Sequence, residues 1–141
     1  MSCRNLENLA RIGSLKREAA DPRETASLLH SGRARLHDAK RADLAFESRF
    51  DLGYNAAHAI ALAALRSRGY RSDKRYIVFQ CLEMTLGLTP KQWTLLALCH
   101  KRRNIAEYEG ELEVDEPLLT SLLEVVEAML EKVQSLRADG S

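Results

Sequence analysis

The stretch CHKRRNIAEYEG, residues 99–110, holds the side chains best suited to chemistry. Five of them repeat at helical spacings of three and four: His100, Arg103, Asn104, Glu107 and Tyr108. Because residues three or four apart are neighbours on a helix, these groups predict one polar patch. Imidazole, guanidinium, amide and phenol groups donate hydrogen bonds to anions, so the patch suits an anionic ligand.

The same residues also fit an ordinary helix end. Arg103 and Glu107 form an i, i+4 pair of a kind that is common on protein surfaces and contributes little. Lys101 and Arg102 then lie in solvent near the helix C-terminus, where positive charges are favoured. A strict helix places Arg103 and Tyr108 about 140° apart, so bringing them together requires an unwound last turn or a second subunit. The residue types alone leave both interpretations open.

Helices must position this patch, because the composition favours helix over strand. Ala and Leu are abundant, and only 6% of the residues are aromatic. Three cap-and-proline signals begin helices and three glycines end them: Asp21-Pro22, Thr89-Pro90 and Glu116-Pro117, then Gly69, Gly87 and Gly110. The predicted helices follow Asp21 and cover 46–68, 73–86 (capped by Asp73), 90–110 and 117–137, with a weaker candidate over 6–16.

These elements predict an all-α fold, an up-and-down bundle of four to five helices with no sheet. The long apolar stripes of the helices over 46–68 and 117–137 predict that these two pack lengthwise against each other. Asp21 sets a boundary, so that residues 1–20 form an N-terminal helical extension and residues 21–138 form the bundle domain. At 141 residues the chain is long enough for one hydrophobic core.

Charge is segregated along the chain, although the net charge is only +1. Residues 1–75 carry 15 Lys and Arg against 9 Asp and Glu, whereas residues 76–141 carry 6 against 11. The basic residues gather at 66–75 and 101–103, and 111–131 holds seven acids and no base. Such segregation fits a local basic patch, and it fits equally well complementary helix faces within one bundle or across a dimer.

Several familiar chemistries lack their sequence signals. The chain has no glycine-rich phosphate loop, no GxSxG elbow and no HExxH zinc motif. His30 and His37 lie two helical turns apart, roughly 10 Å, which is too far for one metal ion. Cys3, Cys81 and Cys99 form no CxxC pair and fit reduced thiols. We therefore expect neither a metal nor a cofactor.

The expected location is cytoplasmic, away from any membrane. The N-terminal MSCRNLENLARIG lacks the apolar core of a signal peptide. The longest uncharged run, Leu52–Leu65, has 14 residues and includes Asn55 and His58, so it is too short and too polar to span a bilayer.

Two segments of the chain resemble the HEPN family, the higher eukaryotes and prokaryotes nucleotide-binding domains. These segments are RFDLGYNAAHAIALAALRSRGYR (49–71) and LCHKRRNIAEYEG (98–110), and LLHSGRARLHDA resembles the first core helix of the family. The resemblance covers most of the chain, from about Thr25 to the last helix. It implies an up-and-down helical bundle that dimerises and places an Arg-Asn motif, here Arg103 and Asn104, at the subunit interface.

The resemblance also implies a chemistry. Active HEPN members are metal-independent ribonucleases in which the Arg-Asn pair is followed by a His, and Arg and His together activate the 2′-hydroxyl and stabilise the phosphate. Tyr108 stands at that His position here, and a tyrosine with a pKa of about 10 is a poor base at neutral pH. His100 precedes the Arg and could share the same polar patch.

Three functions follow from these observations. The first is a degenerate, non-catalytic HEPN-like domain that binds RNA or a nucleotide through a polar cluster: His100, Arg102, Arg103, Asn104, Glu107 and Tyr108. The second is an active metal-independent endoribonuclease of the toxin–antitoxin or defence type, with Arg103 and Tyr108, or His100 in its place, as catalytic residues. The third is a dimeric protein-interaction scaffold locked by the same group. We expect a homodimer with the 100–108 segment at or beside the two-fold axis, and any nucleotidyltransferase-type partner as a separate chain.

Overall fold

The computed structural model describes the backbone of residues 2–110 and 115–138, with side chains from residue 6 to 110 and from 115 to 136. In chain order the elements are α1 (Ser2–Arg11), β1 (Lys16–Arg17), α2 (Pro22–Ala39), α3 (Phe46–Ser67), β2 (Tyr70–Arg71), α4 (Arg75–Gln80), α5 (Leu82–Thr85), α6 (Pro90–Glu109) and α7 (Glu116–Ala138). The long helices α2, α3, α6 and α7 form the body of a helical bundle, which confirms the predicted all-α class. Within these ranges, no helix is both long and apolar enough to cross a membrane.

Local capping begins and ends the helices where the sequence predicts. The Asp21 side chain accepts a hydrogen bond from the Arg23 backbone N–H at the start of α2, with 3.0 Å between the two atoms. Thr89 and Gln92 form a reciprocal capping box at the start of α6. Gly110 ends α6 in the left-handed region at φ +75°, which glycine adopts without strain. These caps fix α6 over the whole length that carries the polar patch.

The central helix of the core is α3, which contacts α2, α4, α6 and α7. Its buried side chains include Phe50, Tyr54 and Ile60, separated by alanines that let neighbouring helices approach. At Gly53 a Cβ atom would lie 2.9 Å from Leu123 Cδ2 of α7, so a larger residue there would require the Leu123 side chain to shift. The contact of α3 with α7 is the one that their long apolar stripes predict.

The predicted single helix over 73–86 is wrong. These residues form two short helices, α4 and α5, joined by a turn at Cys81, and the first begins one residue later than a cap at Asp73 would allow. The turn buries Cys81 and Leu82 completely, and the Thr85 hydroxyl donates a hydrogen bond to the Cys81 backbone oxygen. Because the sequence has no glycine or proline at this point, core packing and this side-chain bond account for the break.

The expectation of no sheet is also wrong, although the ladder is small. The strands β1 and β2 pair antiparallel in this register: Lys16↔Arg71 and Arg17↔Tyr70. The helix expected over 6–16 begins and ends earlier, since α1 stops at Arg11. A two-residue pairing between distant segments leaves no alternation of apolar and polar residues for a sequence pattern to detect.

The N-terminal extension packs on the bundle through apolar and charged contacts. Leu6 and Leu15 are buried in the same core as α3. At the C-terminal end of α3, Arg66 donates hydrogen bonds to the backbone oxygens of Glu18 and Ala19, at 2.8 Å and 2.7 Å. A buried arginine therefore ties the extension to the bundle.

Candidate functional site

The polar end of α6 lies beside α3 and α4, and the three helices bring eight polar side chains together. We name this group the Tyr54 cluster, and its members are Asp51, Tyr54, Asn55, Arg75, His100, Arg103, Asn104 and Glu107. Three members come from α3, one from α4 and four from α6. Because α6 is a continuous capped helix, His100, Arg103 and Glu107 share one face, as their spacing predicts.

Tyr54 is the central member of the cluster. Its side chain is 1% exposed, and its ring packs edge-on against Phe79 with 5.9 Å between the ring centroids. The guanidinium carbons of Arg75 and Arg103 lie 5.3 Å and 5.1 Å from the Tyr54 ring centroid, within the range of cation–π attraction. Burial raises the pKa of the Tyr54 hydroxyl, and Arg75 and Arg103 oppose this rise. The phenol therefore stays protonated at neutral pH while two arginines converge on its ring.

Two carboxylates hold Arg103. Its Nε donates to Asp51 Oδ1 at 2.9 Å, and its Nη1 donates to Glu107 Oε1 at 3.0 Å. The pair with Glu107 is the one that the sequence predicts, and Asp51 from α3 joins it. The Arg103 side chain is 30% exposed, whereas those of Asp51 and Glu107 are 54% and 63% exposed. Because both carboxylates are largely hydrated, exchanging them for another anion costs little.

Both ring nitrogens of His100 are hydrogen-bonded. Nδ1 lies 2.8 Å from the Tyr54 hydroxyl oxygen, and Nε2 lies 3.2 Å from Asn104 Nδ2. Burial lowers the pKa of His100, and the positive charges of Arg75 and Arg103 lower it further. The imidazole is therefore neutral at pH 7.

A chain of hydrogen bonds connects the two arginines of the cluster. Arg75 Nη1 donates to Asn55 Oδ1 at 3.0 Å, and Asn55 Nδ2 donates to the Asp51 backbone oxygen at 2.9 Å and to Asp51 Oδ2 at 3.2 Å. Asp51 thus contacts Asn55 through one carboxylate oxygen and Arg103 through the other. This chain fixes the positions of the two guanidinium groups relative to each other.

Two of the predicted site residues, Tyr108 and Arg102, are not members of the Tyr54 cluster. The Tyr108 side chain is 93% exposed, and α6 stays helical through Glu109 instead of unwinding toward Arg103. Tyr108 lines an open groove of about 730 Å³ with apolar residues of α4 and α6: Tyr76, Ala97, Leu98 and Ile105. Arg102 is partly buried and makes an interaction of its own.

Four members of the Tyr54 cluster were missed by the sequence analysis: Asp51, Tyr54, Asn55 and Arg75. Their partners on α6 are distant in the chain, and no local spacing connects them. One signal was present in RFDLGYN, where Asp51 and Asn55 place two polar groups one turn apart on either side of Tyr54. Because residues one turn apart are neighbours on a helix, this pair could have marked a polar patch on α3.

Two further histidines and two cysteines of the described residues are not members of the Tyr54 cluster. His30 and His37 are exposed on α2. Cys81 and Cys99 are buried, and burial raises their pKa to about 11 and about 12, so both thiols stay protonated. Among the described residues, no group of three or more His, Cys, Asp or Glu side chains is placed to hold a metal ion.

Comparisons with protein-family models, with curated proteins and with solved structures found no match to this chain. The structural class of the protein therefore follows from its fold and its site alone. It is an all-α helical bundle with a partly buried cluster of arginine, tyrosine and histidine at the end of the capped helix α6. The cluster offers guanidinium donors from Arg75 and Arg103, an amide from Asn104 and a neutral imidazole from His100. Donors of these types bind phosphate and carboxylate groups.

Proposed function

We propose that the chain is an HEPN-like domain that binds RNA or a nucleotide at the Tyr54 cluster. The observation that carries this proposal is the convergence of two guanidinium groups, those of Arg75 and Arg103, on the ring of Tyr54. Arginine presents a planar fork of donors that matches phosphate oxygens, and its flat face stacks on aromatic rings. Asn104 adds an amide donor beside His100, and Lys101 adds positive charge on the same helix.

The acidic members of the cluster occupy the place of the ligand anion in the free protein. Asp51 and Glu107 pair with Arg103 through exposed carboxylates. A phosphate that displaces them makes stronger, bidentate contacts with the guanidinium, and the released carboxylates regain their hydration. Such binding weakens as salt rises, because phosphate contacts are electrostatic.

A second candidate function is a metal-independent endoribonuclease of the toxin–antitoxin or defence type. The observation that favours it is a neutral His100 on the same helix face as Arg103. A neutral imidazole accepts a proton from a 2′-hydroxyl, and a guanidinium stabilises the charge that develops on the phosphate. In this candidate His100 takes the role that the HEPN resemblance gives to the residue at position 108.

We also propose a homodimer whose interface includes the 100–108 segment. The groove beside the Tyr54 cluster exposes apolar side chains of α4 and α6, with Tyr76 46% exposed, Leu98 38% and Tyr108 93%. A second copy seated there removes these groups from water and brings its own polar residues close to Asn104, which also lines the groove.

The direct test is binding and cleavage of a labelled single-stranded RNA by the purified protein, at low salt and in EDTA. Arg103→Ala is compared with Arg41→Ala, which removes an exposed arginine that pairs with Asp43 outside the Tyr54 cluster. We expect Arg103→Ala to weaken binding at least about tenfold, because it removes a charged, bidentate donor. Arg41→Ala should leave binding unchanged.

The outcomes separate the candidates. Binding without cleavage supports the leading proposal. Cleavage that Arg103→Ala and His100→Ala both abolish supports the ribonuclease instead. If the wild type binds neither RNA nor a nucleotide at low salt, both candidates are wrong, and sedimentation then shows whether a dimeric scaffold is left as the function.

A further inference from the structure

A cavity of about 210 Å³ lies at the C-terminal end of α3, where α2, α3, α5 and α7 meet. We name it the Thr25 cavity, and its lining includes Thr25, Ala64, Ser67, Arg68, Val133 and Leu136. Ala64 lies roughly 15 Å along α3 from Tyr54, at 1.5 Å per residue. None of the described residues that line this cavity belongs to the Tyr54 cluster or to the groove beside it. The cavity is therefore separate from the site described above.

Thr25 gives this cavity a polar group that the fold leaves unused. The residue is 7% exposed, and within the described part of the chain its hydroxyl has no hydrogen-bond partner. A buried hydroxyl without a partner costs free energy, which an acceptor placed beside it would restore. The Thr25 hydroxyl is thus a donor available to a molecule that occupies the cavity.

The other polar groups of the cavity decide which kind of molecule fits. The Ser67 hydroxyl donates to the Ala64 backbone oxygen at 2.7 Å, so its single proton is already used. Arg68 adds a positive charge at the exposed rim. No Asp or Glu side chain is among the described lining residues. A donor hydroxyl and a guanidinium favour an anionic acceptor such as a carboxylate over a cation.

The rest of the wall is apolar. On α3, Ala63 and Ala64 leave space that larger side chains fill elsewhere along this helix, and the opposite side is formed by Leu86, Val133 and Leu136. An apolar cavity of about 150 Å³ holds a benzene ring, so this one has room for a chain of roughly six to eight carbons.

Leu136 gives a longer molecule further room. Its side chain is 42% exposed, and it also lines an adjoining cavity of about 230 Å³. A rotation of this side chain would join the two spaces into one elongated cavity, of a size within the range of about 300–1,000 Å³ that is usual for small-molecule sites.

We infer that the Thr25 cavity binds a medium-chain fatty acid. The carboxylate accepts hydrogen bonds from Thr25 and Arg68, and the alkyl chain packs against Ala64, Val133 and Leu136. This site does not depend on the proposed nucleic-acid binding, because it shares no residue with the Tyr54 cluster.

The test is isothermal titration of the purified protein with octanoate, beside acetate and octan-1-ol, with heteronuclear NMR to locate the site. We expect octanoate to bind with a dissociation constant of about 1 mM or tighter, as a ligand with about ten non-hydrogen atoms can. It should shift the backbone amide signals of Thr25, Ala64 and Val133. Acetate should not bind, because it lacks the alkyl chain, and octan-1-ol should bind more weakly, because its hydroxyl carries no charge.

Thr25→Val keeps the shape of the side chain and removes the hydroxyl. We expect this variant to bind octanoate about tenfold more weakly, the size of one hydrogen bond to a charged group. Its free energy of unfolding should be unchanged or higher, since a methyl group replaces an unpaired buried hydroxyl. A purely structural role of Thr25 predicts the reverse, a loss of stability with unchanged binding. Thr120→Val, at an exposed threonine of α7, is the control and should change neither quantity.

Four results would overturn the inference. They are a wild type that does not bind octanoate, amide shifts at the groove of α4 and α6 instead of the Thr25 cavity, octan-1-ol binding as tightly as octanoate, and undiminished octanoate binding by Thr25→Val.

Discussion

Two arginines of this bundle, Arg66 and Arg103, both pair with carboxylates but differ in burial and in their other partners. The Arg66 side chain, at the end of α3, is 1% exposed, whereas that of Arg103, on α6, is 30% exposed. Arg66 pairs with Glu24 at 2.6 Å and donates to the backbone oxygens of Glu18 and Ala19. Backbone oxygens cannot be exchanged for a ligand without unfolding the segment that carries them. Arg66 is therefore a structural arginine.

Arg103 has partners of a different kind. Asp51 and Glu107 are more than half exposed, at 54% and 63%, and the third contact is the face of the Tyr54 ring. Carboxylates in water can leave, and an aromatic ring supports a guanidinium without using its donors. The comparison shows that the identity of the acceptors, together with burial, separates an arginine that holds the fold from one that is free to bind an anion.

Removing Arg66 should give the largest effect. Arg66→Ala leaves the backbone oxygens of Glu18 and Ala19 without a donor and separates the N-terminal extension from α3. We expect the free energy of unfolding to fall by about 3 kcal/mol, as when one partner of a buried pair is removed. Urea denaturation followed by circular dichroism measures it. Arg41→Ala, at an exposed site, should cost less than about 0.5 kcal/mol, and an equally small effect of Arg66→Ala would break the comparison.

His58 should make the stability of the fold depend on pH. It lies on α3 one turn after Tyr54 and packs edge-on to Phe79 with 6.1 Å between ring centroids. Burial, with smaller contributions from the charges of Arg75 and His100, lowers its pKa from 6.5 to about 4. Because the folded pKa lies below the unfolded one, the unfolded chain takes up a proton first as pH falls. Stability should therefore decrease between pH 6.5 and about pH 4, with a slope of at most about 1.4 kcal/mol per pH unit.

Urea denaturation across that pH range, with His58→Gln beside the wild type, measures this dependence. The variant should lose the part of the slope that His58 contributes and keep the part that His100 contributes, because the pKa of His100 is lowered as well. An unchanged slope would mean that His58 does not titrate in this range. The ion pair of Arg66 with Glu24 loses its contribution to stability at lower pH. The hydrogen bond from Arg66 holds the pKa of Glu24 below the ordinary value of 4.5. The stability contributed by that pair is therefore present above this value and is lost as pH falls below it.

Arg103→Ala should separate binding from stability. We expect the variant to bind RNA at least about tenfold more weakly, as stated above. Its free energy of unfolding should nevertheless stay within about 1 kcal/mol of that of the wild type. The reason is that its carboxylate partners return to water and the Tyr54 ring remains packed. Thermal unfolding with both arginine variants side by side checks this. A loss as large as that of Arg66→Ala would make Arg103 a structural lock and remove the main support for the proposed function.

The fold was predictable from sequence where local interactions decide it. Asp21, Thr89 and Gly110 act as caps through bonds to residues a few positions away, and the helices they bound lie where expected. The break at Cys81 was not predictable, because it depends on burying Cys81 and Leu82 against other helices. The β1–β2 ladder was missed for the same reason, since its two segments meet only after the chain has folded.

The candidate site was predictable on one helix and not across helices. The face that joins His100, Arg103 and Glu107 followed from their spacing on α6. Tyr54 and Arg75 could not be assigned, because nothing local connects them to α6. The basic run over 66–75 suggested either a surface patch or complementary helix faces. Arg66 and Arg71 pair with acids of the same chain, Glu18 and Glu24. For these two arginines, the complementary faces therefore lie within the bundle.

The smallest effect on the single chain should come from Tyr108. Its side chain is 93% exposed and contributes no hydrogen bond to the Tyr54 cluster, so Tyr108→Ala should change the free energy of unfolding by less than about 0.5 kcal/mol. In the proposed dimer, however, this ring fills part of the interface, and its loss should raise the dimer dissociation constant. Sedimentation velocity across micromolar concentrations measures that constant, with Ile12→Ala, at another exposed apolar residue, as the control. A wild type that stays monomeric contradicts the dimer.

RNA binding by Tyr108→Ala gives a further outcome. If this variant weakens RNA binding as strongly as Arg103→Ala, then Tyr108 belongs to the binding site. A second copy must then supply it, because α6 keeps Arg103 and Tyr108 on different faces of one chain.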